Sequence, residues 1–159
     1  MDLTWLFPWV LFAHVLGAII AFGPTFSLAI VGAMGGEEPQ HANFATRASA
    51  RVSERIITPL AIFQGITGVL LIVVSGRDVM ASRWLLVSIV LYLTAISYAL
   101  VIQKKHVSRV IELTSTPPPP GAAGPPPELM TEVAAVRRGG MILGTLIVVI
   151  VFLMVVKPF

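Results

Sequence analysis

Residues 9–34 read WVLFAHVLGAIIAFGPTFSLAIVGAM, a run with no Asp, Glu, Lys or Arg. In a helix rising 1.5 Å per residue it is longer than the roughly 30 Å hydrocarbon core of a bilayer requires, so it reads as a membrane span. Three further stretches, 56–75, 84–102 and 141–156, meet or approach the same requirement. Asp2 stands before the first run where a signal peptide would carry basic residues, and the run exceeds a signal peptide's apolar core, so it is expected to be retained. The fold class these spans imply is all-α: an antiparallel four-transmembrane-helix bundle, one membrane domain over residues 1–159.

Composition agrees. The chain has 159 residues, 56% of them hydrophobic and only 12% charged, against about 25% charged in soluble domains. Its mean hydropathy is +0.89. Cysteine is absent, which excludes disulfides, iron–sulfur clusters, thiolate metal sites and covalent haem attachment. The net charge of +3 sits in the connections between spans, where anionic lipid headgroups are the expected partner and nucleic acid is not.

The basic residues also set an orientation. Arg47, Arg51, Arg55, Lys104, Lys105, Arg109, Arg137 and Arg138 flank the first and third connections, whereas the opposite side has Arg77, Arg83 and Lys157. The positive-inside rule then places both termini outside and the two long connections in the cytoplasm. Trp5, Trp9 and Trp84 fall at span ends, where indole rings favour the headgroup layer.

Those connections continue the helices. Phe44, Ala48, Val52 and Ile56 recur at helical spacing, with Arg47, Arg51 and Arg55 forming a basic stripe, so the second helix begins below the membrane. The stripe holds headgroups or pairs with Glu112, Glu128 and Glu132. Lys104 to Thr114 extends the third helix, and Glu128 to Arg138 leads into the fourth behind Pro127. Between them, residues 115–127 form a proline-rich connector of polyproline character, a spacer or a segment for an SH3-like partner. Small residues mark the packing faces: Ala13, Gly17 and Ala21 on the first helix, Ala61, Gly65 and Gly68 on the second, Ala95 and Ala99 on the third, Gly140 and Gly144 on the fourth.

His14 is the only charge-capable side chain inside the spans, tyrosines aside, and a titratable group at membrane depth is a candidate site. It lies roughly 7 to 8 Å inward from Trp9, beside Gly17. Neutral imidazole with glycine beside it suits a b-type haem, with His14 as axial ligand and the haem iron as the only metal in view. Tyr92 or Met154 would be a second ligand, or the site would stay five-coordinate. Tyr92 and Gln64 are alternatively hydrogen-bonding partners, and Gln64 and Thr67 sit near the middle of the second helix. His41 and His106 fall on the cytoplasmic side, out of reach. The competing expectation is that His14 bonds a serine, threonine or tyrosine of a neighbouring helix and sets the register of the bundle. Gly23-Pro24 is expected to interrupt the first helix and free the Ile20 carbonyl, with Thr25 or water satisfying it.

The string Phe12-Ala-His-Val-Leu-Gly-Ala-Ile-Ile with Gly23, and the second-helix pattern Arg55-Ile-Ile-Thr-Pro with Gln64-Gly-Ile-Thr-Gly, resemble a family of bacterial four-helix integral membrane proteins of unknown function. More distantly, the early first-helix histidine resembles that of HemJ-type protoporphyrinogen oxidases and CopD-type copper-resistance membrane domains. The HemJ-type resemblance implies His14 as a haem ligand; the lysine of that family's proposed site has no counterpart in these spans. Three functional expectations follow: electron transfer or haem handling through His14, a non-enzymatic scaffold or accessory subunit that binds a membrane-protein partner or its own copy, and a small-solute permease, which lacks the inverted repeats common in transporters.

Overall fold

The computed structural model describes residues 3–116 and 124–159. Residues 117–123 of the proline-rich connector lie outside the described residues. Four helices are long and apolar enough to cross a membrane: α1 (Thr4–Glu37), α2 (Pro39–Ser75), α3 (Arg83–Leu113) and α4 (Pro127–Val156). The chain is a multi-pass, all-helical integral membrane protein, and each expected extension of α2, α3 and α4 beyond its apolar span is helical.

Local chemistry explains the helix ends. Pro39 and Pro127 open α2 and α4, where the missing N–H removes a donor that a first turn leaves unpaired anyway. Gly76 closes α2 at φ 59°, the left-handed conformation that glycine adopts without penalty. The Gly76 and Arg77 amides then donate to Val73 and Ile72 carbonyls at 3.2 and 3.3 Å, turning the chain toward α3. Pro24 departs from expectation. It sits inside α1 without interrupting it, and the Thr25 hydroxyl is buried with no partner among the described residues, so it does not satisfy the Ile20 carbonyl. In lipid the neighbouring turns hold such a helix together despite one missing bond.

The closest pairs are α1 with α2 and α3 with α4; α2 meets α3 toward their basic ends, and α1 meets α4. Small residues make the approach possible. A Cβ at Gly35 would lie 3.2 Å from the Ala45 side chain, and one at Gly17 would lie 3.1 Å from the Phe63 ring. Among the described residues the buried apolar side chains are few, Ala21, Val74, Leu85, Val110 and Leu153, while most large apolar side chains face outward, as lipid allows.

The packing face of α4 differs from the sequence expectation. Gly139 is buried against Gln103 and Tyr98 of α3, whereas a Cβ at Gly140 or Gly144 would meet nothing within 4 Å. One residue of helix is about 100° of rotation, so the inward glycine turns its successor away. The ion pairs also differ from one expectation: Glu112 and Glu128 pair with Arg109, and Glu132 with His106, leaving the Arg47–Arg51–Arg55 stripe without them.

Candidate functional site

His14 lies in the N-terminal third of α1, five residues in from Trp9, directly across from a polar face of α2. That face exists because Gln64 and Thr67 are three residues apart and fall on one side of the helix, both buried. The Thr67 hydroxyl donates to the Phe63 carbonyl one turn back at 2.9 Å. Its oxygen is then the acceptor for the His14 Nδ1–H, at 2.7 Å. With the proton on Nδ1, the opposite ring nitrogen is an acceptor, and the Gln64 amide nitrogen stands 3.5 Å from it, a long contact. Between the two nitrogens, His14 Cε1 would lie 3.6 Å from a Cβ at Gly68. The whole nitrogen edge of the imidazole therefore rests against α2.

Gly17 belongs to the same cluster. A Cβ there would stand 2.8 Å from Gln64 Oε1, so glycine leaves the space the amide occupies. Gln64 Oε1 is buried without a hydrogen-bond partner among the described residues. Tyr92 is placed differently from expectation. Its hydroxyl donates to the Ala61 carbonyl at 2.9 Å, where Gly65 leaves room for the ring, and so does not serve His14. The long tyrosine reaches across to α2 below the histidine.

His14, Gln64 and Gly17 are thus brought together, and Tyr92 is not. The partner that the candidate-site reading passed over is Thr67. Its signal was present in the sequence: two polar residues at helical spacing, each with a glycine beside it, in an otherwise apolar span. His41 and His106 lie at the basic end. His41 faces Glu38 at 3.8 Å, and His106 Nδ1 contacts Glu132 at 2.6 Å. Among the described residues no group of three or more His, Asp or Glu is arranged to hold a metal ion.

The model of a family described as a predicted integral membrane protein (DUF2269) matches residues 8–158. The chain belongs to this family. Neither a curated protein nor a solved structure matches it. Within this DUF2269 chain the match covers all four helices and the His14 cluster, and the family's description states membrane insertion without an activity.

A b-type haem can be tested against these residues. An axial histidine offers a bare Nε2 to the iron across a slot wide enough for the macrocycle. His14 Nε2 instead faces the Gln64 amide, with Gly68 and Thr67 along the rest of the same edge. The residues present do not fit a porphyrin on that nitrogen.

Proposed function

We propose that this chain is a non-enzymatic helical membrane protein, a scaffold or accessory subunit, in which His14 locks α1 to α2. The observation that carries this reading is the 2.7 Å hydrogen bond from His14 to Thr67, with the other ring nitrogen turned to Gln64. Both nitrogens face groups inside the helix pair, so the one titratable side chain of the apolar stretches, tyrosines aside, has a structural role available to it. The distant likeness to HemJ-type and CopD-type proteins supports haem handling only through His14, and that ring already lies against α2. A bacterial inner membrane with both termini outside is part of the proposal, supported by the distribution of basic residues.

The test is a visible spectrum combined with a melting curve. Protein purified in mild detergent from haem-replete cells is expected to be colourless, with and without dithionite. His14→Ala is expected to lower stability by about 0.6–1.7 kcal/mol, the range for interhelical hydrogen bonds in membranes, through loss of the bond to Thr67. A Soret band that disappears in His14→Ala would overturn the structural reading. Unchanged melting in the same variant would remove its main support.

A further inference from the structure

The register between helices exposes a step at the basic end. His14 opposite Thr67, Gly17 opposite Gln64, and Gly35 opposite Ala42 and Ala45 fix how α1 runs past α2. Continuing that register sets Arg55, Arg51 and Arg47 beside residues 25–33 of α1. The next helices carry the same level onward: Glu54 pairs with Lys104 at 3.1 Å, Asn43 donates to the Ile111 carbonyl at 3.0 Å, and His106 meets Glu132. At this height α2, α3 and α4 have therefore become charged. Alone among the four, α1 remains apolar, and it exposes Phe26, Ile30 and Met34 at 54%, 65% and 54%.

That apolar ridge extends about 12 Å, from Phe26 to Met34. Whatever covers it must present hydrocarbon at the same height as three arginines. The arginines are exposed, and none makes an ion pair among the described residues. The carboxylates of α2, α3 and α4 have other partners: Glu54 pairs with Lys104, Glu112 and Glu128 with Arg109, and Glu132 with His106. Spaced four residues apart, the guanidinium groups repeat at a rise of about 6 Å, each able to grip a phosphate with two parallel hydrogen bonds.

We infer that the Arg47–Arg51–Arg55 stripe and the adjoining α1 segment Phe26–Met34 form a binding surface for anionic phospholipid. Acyl chains cover Phe26, Ile30 and Met34, and phosphates meet the arginines. The first apolar run is about 39 Å long against a core of roughly 30 Å, a surplus that a tilted helix takes up. Tilt on the α1 side keeps that segment in hydrocarbon while α2 presents its arginines to the headgroups. A soluble acidic partner would satisfy the arginines and leave the α1 ridge in water, whereas a phospholipid satisfies both.

The chain has no cysteine, so a single introduced thiol reports one place. A bimane label on Ile30→Cys, in the full chain reconstituted in vesicles, is quenched by brominated lipid that touches it. Brominated phosphatidylglycerol is expected to compete for this position better than brominated phosphatidylcholine, by about fivefold for each arginine engaged. The preference should vanish with Arg47→Gln, Arg51→Gln and Arg55→Gln combined, and survive with lysine at all three. A label on Val148→Cys, exposed on α4, should show no headgroup preference in any of these proteins. If the combined glutamine variant does not reconstitute, Arg51→Gln alone gives the same reading as a partial loss. Equal quenching by the two lipids overturns the proposal, as does a preference that outlasts the glutamine substitutions. An Ile30 label that no brominated lipid quenches puts water or a protein partner on the ridge, and overturns it too.

Discussion

Gly139 and Gly140 are neighbours in α4 with different surroundings. A Cβ at Gly139 would collide with the Gln103 amide and approach the Tyr98 hydroxyl at 3.0 Å, while one at Gly140 would meet nothing within 4 Å. Gln103 donates to the Val136 carbonyl at 3.0 Å, and that bond depends on the space. Gly139→Val is expected to destabilise the protein by about 1–3 kcal/mol, as overpacking does, with Gln103 pushed off its partner. Gly140→Val should stay within about 0.5 kcal/mol, the usual range for surface changes. Melting curves of the two variants side by side check the pair; equal losses would mean that α4 packs by Gly140 after all. At this scale the sequence was only partly legible. The small-residue rule pointed to this region of α4, but rotation about a helix axis is set by the partner helix, and Gly139 carries no mark that separates it from Gly140. The case of His14 is similar. A hydrogen bond to a neighbouring hydroxyl was one of two open expectations, and no spacing on α1 names Thr67, which lies 53 residues away.

The helices themselves were far more legible, because a span long enough for a bilayer leaves little else for the backbone to do. Every extension at the basic end also carried its signal, a periodic apolar face with charges beside it. What periodicity concealed are two widened turns, Ser53–Ile57 in α2 and Ala99–Gln103 in α3, where the chain adds a residue to one turn. Residues four apart stay nearly in line across such a turn, so the spacing of Val52 and Ile56 resembles ordinary helix. Below these turns, α3 and α4 are joined by charge: Arg109 Nε donates to Glu128 at 2.9 Å, and His106 contacts Glu132. The interhelical links at this end come from side chains that water reaches, so they order the extension without holding the span. Combined Glu128→Gln and Glu132→Gln is therefore expected to speed amide hydrogen exchange in the first turns of α4, Pro127 to Arg138. Exchange in the apolar part, Met141 to Val156, should be unchanged. Faster exchange of the whole helix would follow only if the α3–α4 seam drew its stability from the basic end.

For the whole molecule, one geometric fact organises the rest: charge is gathered at one end of four parallel and antiparallel rods, and both termini are at the other. At the terminal end, Arg77 and Lys157 lie over the Trp84 ring at 5.7 and 5.5 Å, which ties the α2–α3 turn to the end of α4 around an aromatic residue suited to the headgroup layer. At the basic end, the α1–α2 junction and the ends of α3 and α4 hold most of the cations. On the orientation proposed above, translocation of such segments is disfavoured, which would put the basic end in the cytoplasm and the Gly76–Ser82 turn outside. Cysteines introduced at Ser82 and Ser115 test this without background, since the chain has none of its own. An outside-only maleimide should label Ser82→Cys in intact cells and reach Ser115→Cys only after lysis. The reverse pattern would invert the molecule, and with it the leaflet that meets the arginine stripe. Labelling of both in intact cells would break the antiparallel arrangement itself, because Ser82 precedes α3 and Ser115 follows it, and a single crossing must separate them.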